Sequence, residues 1–227
     1  MNEPQLRGFQ ATNALVIINV LVFLWDVLSS GGRVSFISGF SDGRTLVADG
    51  ALYGPLVMSG EWWRLISSGF VHDGILHIGL NMFALYQVGR FVELVTGARR
   101  MLAIYFISLL GSGLAVVYFA FDQPTVGASG AIFGLFGALV AIGLRLGARG
   151  RGLIMQTLPI ILINLAFTFS VPSISKAGHL GGLVIGFVAA LVLVRFPSRA
   201  QLEPAIVGEP VGGNEEGEAL EGTHEEP

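Results

Sequence analysis

A chain of 227 residues that is 52% hydrophobic and only 13% charged, with mean hydropathy +0.70, cannot hide its apolar surface in a water-soluble fold. Soluble domains carry about 25% charged residues, so lipid must face part of this one. With no cysteine, disulfides and thiolate chemistry are excluded; the 32 glycines suit membrane helices packed closely through small residues, and the net charge of −3 implies nothing until it is mapped along the chain.

Residues 1–12 are polar and read as an N-terminal cytoplasmic segment, with no small-residue cleavage pattern after the first apolar run to mark a signal peptide. Six apolar stretches follow, each near the roughly 20 residues a membrane helix needs. They are Asn13–Leu28, Ile75–Val95, Met101–Phe121, Ser129–Leu146, Gly152–Ser170 and Ile174–Phe196. The expected fold is therefore all-α: a six-helix membrane domain over residues 13–199, with a long loop between helices one and two. That loop, Ser29–Gly74, carries Glu61-Trp62-Trp63-Arg64. Two tryptophans beside an arginine suit the headgroup level, either as an interfacial anchor or as a loop packed on the bundle. Residues 200–227 are rich in Glu, Gly and Pro without apolar periodicity, and read as a disordered acidic tail.

Six spans put both termini on one side. Nine of the thirteen basic residues fall there, against Arg33, Arg44, Arg64 and Lys176 on the other, so the terminal side is expected to be cytoplasmic. The expected location is a plasma (inner) membrane, with multiple passes.

Polar side chains inside a span are costly and raise a question of function. His77, Asn81, Ser129 and His179 each lie within the first two turns of spans two, four and six, which all run in the same direction. They therefore share one layer in the outer part of the bilayer. Ser129 follows Gly127-Ala128 and precedes Gly130, at a loop-to-helix junction where free N–H groups can meet an oxyanion; a serine there can equally be an N-cap. His179 lies beside Gly178, Gly182 and Gly186, a stripe of period four on which another helix can lie close. It is either a buried, satisfied histidine or a base facing a serine. Phe133, four residues after Ser129, is a core aromatic or a ring that stacks on the imidazole. His77 and Asn81 share one face and can donate to a developing negative charge. His72 and Asp73 read as loop residues at a polar mouth. A metal site built from His72, His77 and His179 is discounted, because no carboxylate stands at helical ligand spacing in that layer.

Together these motifs resemble the rhomboid family of intramembrane serine proteases. Glu61-Trp-Trp-Arg64 is similar to that family's Trp-Arg loop motif. His72, His77 and Asn81 are similar to its His-x4-His-x3-Asn signature, Gly127-Ala-Ser129-Gly130 to its Gly-x-Ser-Gly motif, and His179 with Gly182 and Gly186 to its His-x2-Gly-x3-Gly pattern. The resemblance covers about Asn13–Arg199. It implies Ser129 as nucleophile and His179 as general base, a dyad with no acidic third member. It further implies an oxyanion hole of His77, Asn81 and the Ser129 N–H, with Trp63 and Arg64 bracing the loop. Phe133 stands where tyrosine is frequent, and Gly178 where alanine is. The implied partners are single-span or polytopic membrane-protein substrates and the lipid bilayer, with no nucleic acid, no cofactor and no metal.

Two other functions fit parts of the pattern. A non-catalytic binder of client helices could use the same bundle without a reactive serine. A small-solute transporter usually places its polar site near the midplane, with repeats, and neither feature is visible here.

Overall fold

The computed structural model describes residues 9–32, 35–36 and 45–194. Among them there are helices and no strands. In chain order these are α1 (Gln10–Ser29), the short α2 (Thr45–Gly50), α3 (Gly54–Met58) and α4 (Arg64–Ser67), then α5 (Ile75–Thr96), α6 (Ala98–Phe119), α7 (Ser129–Arg145), α8 (Arg151–Ser170) and α9 (Lys176–Leu193). A 3₁₀ turn at Gly147–Gly150 leads into α8. Helices 10–29, 98–119, 147–170 and 176–193 are long and apolar enough to cross a membrane. Each long helix begins within three residues of the span read from sequence. The exposed leucines, isoleucines and phenylalanines along α1, α6 and α8 are the surface expected to meet lipid. The end of the sixth stretch at Phe196 and the acidic tail lie outside the described residues.

The shortest of the six long helices, α7, is the centre. Thirteen of its 17 residues are buried, so it is apolar all round because protein surrounds it. It lies against α9 through glycine on both sides. A Cβ added to Gly182 would fall inside the contact radius of the Gly130 carbonyl oxygen, and one on Gly186 inside that of Gly134. Gly137 is closed off in the same way by the Leu183 carbonyl. Towards α6, the missing side chains of Gly130 and Gly134 leave the space filled by Ser112 and Ser108. The three helices α6, α7 and α9 thus approach at backbone distance, which only residues without a Cβ permit.

Polar contacts fix the periphery. Glu93, buried on α5, accepts from the backbone N–H groups of Ala11 (3.0 Å) and Thr12 (2.9 Å) and from the Thr12 hydroxyl (2.6 Å). A carboxylate from another helix thereby satisfies first-turn donors of α1, where the helix dipole also favours negative charge. Arg145 does the converse at the far end of α9, donating to the carbonyls of Val194 (2.5 Å) and Leu191.

Because Gly186 has the Gly134 backbone against it, Gly186→Ala should lower stability by roughly 1–3 kcal/mol. Gly79, with no atom within 4 Å of the added Cβ, serves as the comparison, and Gly79→Ala should be neutral or slightly stabilising. Denaturant unfolding in detergent micelles measures both.

Candidate active site

The loop between α1 and α5 sets the entry to α7. Arg64 is buried and donates to the carbonyls of Ala48 (2.9 Å) and Ala51 (2.8 Å) and to the Glu61 carboxylate (2.7 Å). The next residue along, Leu52, pairs in both directions with Thr125 (2.9 Å each way), and Gly54 N–H donates to the Phe121 carbonyl. Gly127 N–H donates to the Ser68 carbonyl at 2.7 Å. The segment before Ser129 is therefore clamped along its length. Gly127 has φ +108°, a conformation L-residues avoid. Trp63, by contrast, is 57% exposed beside the exposed Trp62, so the arginine of the pair holds the loop while the tryptophans lie on the surface.

Ser129 is the first residue of α7, and the N-cap position belongs to Ala128, which has no capping side chain. The capping reading of Ser129 is thus corrected: its hydroxyl is directed elsewhere. Ser129 Oγ lies 2.8 Å from His179 Nε2. His179 is in the first turn of α9, whose N-cap Ser175 accepts from Gly178 N–H. The imidazole stacks on Phe133, with ring centroids 4.2 Å apart and planes 17° from parallel. Its second nitrogen, Nδ1, lies 2.8 Å from the hydroxyl of Thr168 on α8.

His77 and Asn81, on α5, meet the segment just before Ser129. A Cβ on Gly127 would stand 2.5 Å from His77 Nε2 and 3.2 Å from Asn81 Nδ2. Gly127 is thus required by space as well as by φ. Asn81 Nδ2 is buried and has no acceptor among the described residues. His77 Nδ1 lies 2.6 Å from the carboxylate of Asp73, itself buried. This corrects the view of Asp73 as a residue of an open mouth. A carboxylate accepts, so the proton sits on Nδ1, and Nε2 donates only when the ring carries both protons.

His72 is buried behind this pair. Its ring meets His77 edge-on at 5.0 Å, and Ala128 N–H points at its Nε2 over a long 3.5 Å. Burial, then the neighbouring His77, pushes its pKa down to about 3. His72 is therefore a neutral packing group at ordinary pH. Among the described residues no three histidine or acidic side chains are grouped to hold a metal ion.

Spacing along one helix exposes Ser129, Phe133, His77 and Asn81 in the sequence. The pairing of Asp73 with His77 was missed, although its place four residues before His77 was a signal that could have found it. Thr168 was not. It shares an inward stripe of α8 with Thr157 and Ile161, but nothing in sequence ties that stripe to His179.

Fold and site define a multi-pass membrane protein with polar side chains from three helices, α5, α8 and α9, gathered near one serine of α7. The chain belongs to the rhomboid family: the family model for the Rhomboid domain matches residues 59–196. It is 41% identical over 160 residues to Rhomboid protease GluP of Bacillus subtilis (strain 168), covering 68% of this chain and 31% of that protein. It is 35% identical over 196 residues to RHOMBOID-like protein 5 of Arabidopsis thaliana, covering 81% and 62%. Rhomboid-like protease 1 of Toxoplasma gondii is 36% identical over 148 residues, covering 63% and 50%. The chain thus spans between about a third and three-fifths of the length of these relatives.

The depressed pKa of His72 has a stability consequence. An unfolded chain binds this proton near pH 6.5 and the folded chain only near 3. The contribution of His72 to stability is fully present above pH 6.5 and is lost as pH falls towards 3. Relative to His72→Gln, the native chain should lose up to about 1.4 kcal/mol per pH unit in that window. Unfolding in micelles at pH 7 and pH 4.5 measures the difference.

Proposed function

We propose that this chain is an intramembrane serine endopeptidase that cleaves transmembrane segments of other membrane proteins. The observation that carries the reading is the 2.8 Å contact between Ser129 Oγ and His179 Nε2. In this reading all six long helices cross the bilayer, both termini are cytoplasmic and the membrane is the inner one. The names of the relatives from B. subtilis and T. gondii, both called proteases, support it.

Ser129 Oγ attacks the scissile carbonyl carbon while His179 Nε2 takes its proton. The carbonyl oxygen becomes an oxyanion, and three groups face it: the first-turn N–H of Ser129, Nδ2 of Asn81, which has no acceptor among the described residues, and the imidazole of His77. Collapse breaks the C–N bond, and His179 returns the proton to the leaving amine. Water then attacks the acyl-enzyme by the same route in reverse. Phe133 holds the imidazole plane by stacking alone, since a phenyl ring has no hydroxyl to offer. A helical substrate hides its carbonyls in i→i−4 hydrogen bonds, so it must unwind before attack. Substrates with Gly, Pro or small polar residues near the outer end of their span are therefore favoured.

Ser129→Ala and His179→Ala should each abolish cleavage of single-span proteins and labelling by a fluorophosphonate, and the double variant should be no worse than either. Turnover by Ser129→Ala would remove the serine mechanism, whereas a native chain that is neither labelled at Ser129 nor able to cleave would favour a non-catalytic binder of client helices. Asn81→Ala should cut the cleavage rate by about 10²-fold or less, the low end for an oxyanion donor in a wet site. An unchanged rate would leave backbone donors alone at the oxyanion.

A further inference from the structure

The contact at the far side of His179 supplies something the serine and the imidazole lack. Thr168 Oγ1 lies 2.8 Å from His179 Nδ1 and also donates to the Asn164 carbonyl at 2.7 Å. Thr168 is 1% exposed and His179 8%, so water does not compete freely for either group. We propose that Thr168 is a positioning residue that sets the tautomer of His179, completing a neutral Ser129–His179–Thr168 relay. The inference rests on the serine-protease reading of the site.

The case is one of proton counting. A threonine hydroxyl has a single proton and lone pairs to accept with. The Asn164 carbonyl can only accept. With the hydroxyl proton committed to that carbonyl, Oγ1 presents a lone pair to the imidazole, and Nδ1 must bring the proton. Nε2 is then bare and faces the Ser129 hydroxyl, the state a general base requires. In this arrangement the groups make three hydrogen bonds: Ser129 to Nε2, Nδ1 to Thr168, and Thr168 to Asn164.

The opposite tautomer makes fewer. If Thr168 donates to Nδ1, the bond to Asn164 is lost and Nε2–H points at Ser129. The serine can then accept from the ring but cannot give its proton to it. The threonine therefore favours the productive state before any substrate arrives. Its role grows during attack. As the ring becomes imidazolium, Nδ1–H to Oγ1 becomes a charge-assisted bond, stronger than its neutral counterpart. A buried carboxylate in this place would carry a desolvation cost that a hydroxyl avoids.

The full chain in detergent micelles, labelled with a fluorophosphonate, provides the test. Thr168→Val keeps the shape and removes the hydroxyl. Its maximal labelling rate should fall roughly 10- to 100-fold, the range for losing a hydrogen bond to a charged group, with the probe's half-saturating concentration unchanged. Thr168→Ser should restore the rate to within about threefold, since the hydroxyl and its proton count return. Labelling of Thr168→Val at the native rate would overturn the proposal, as would Thr168→Ser labelling no faster than Thr168→Val. The native chain gives a second answer that does not require Thr168→Val or Thr168→Ser to fold. Nitrogen-15 spectra of its histidine rings, with His179 assigned by loss of its signal in His179→Gln, should show Nδ1 protonated and Nε2 bare. An Nε2–H tautomer would overturn the assignment. Failure of the serine reading itself looks different: the native chain would then not be labelled at Ser129 at all, whatever stands at 168.

Discussion

The structure depends on one close approach, that of α7 to α9. Gly130 meets Gly182 and Gly134 meets Gly186, so each step of four along one helix matches a step of four along the other. The two helices therefore run parallel and in register. Inside lipid no hydrophobic gain drives such a contact, because acyl chains are as apolar as leucine; dispersion between surfaces that fit must supply it. The register fixes the site. Ser129 precedes the first glycine of α7, and His179 stands one turn before Gly182 on α9. With the backbones this near, a serine and a histidine on those turns reach hydrogen-bond distance without either side chain leaving its own helix.

A second constraint acts on the segment that enters α7. Its carbonyls and N–H groups are taken up by Leu52, Gly54 and Ser68, from the loop that Arg64 holds together. That loop is bound by hydrogen bonds as well as by the apolar packing of Leu52, Val57 and Leu65 against Val116. Hydrogen bonds also join α1 to α5, through the carboxylate of Glu93. Polar groups in a membrane protein are costly when unpaired. Here they close helix ends and loop turns, and Asn81 Nδ2, a donor without an acceptor among the described residues, faces the space beside Gly127.

Much of this was legible in sequence because lipid imposes a simple rule. A long apolar stretch must be a helix, and a polar residue within it must face inward. The six long helices and the four central polar residues follow from that rule, and Phe133 follows from helix periodicity. Helix ends were read within a few residues, because polar residues flank them and mark the interface only loosely. The contact of Ser129 with His179 came from the family resemblance, and contacts between helices that no motif carries were beyond reach. Thr168 and His179 are joined by a turn whose geometry no spacing reveals. Trp63 was ambiguous for a related reason: an amphipathic ring suits both an interface and a packed loop, and only the exposure of 57% separates them.

The two histidines nearest the serine have partners of different kinds, and in the proposed mechanism the difference matches their tasks. His77 Nδ1 meets the carboxylate of Asp73, which can only accept. The carboxylate accepts the Nδ1 proton in a hydrogen bond and so fixes the orientation of the ring beside Gly127. His179 Nδ1 meets the hydroxyl of Thr168, which is neutral. A neutral partner keeps Nδ1 protonated yet adds no charge to hold a second proton on the ring. Nε2 is left free to take the serine proton and to give it back to the leaving amine. The two imidazoles thus differ in the single oxygen-bearing side chain behind each, a carboxylate for His77 and a hydroxyl for His179.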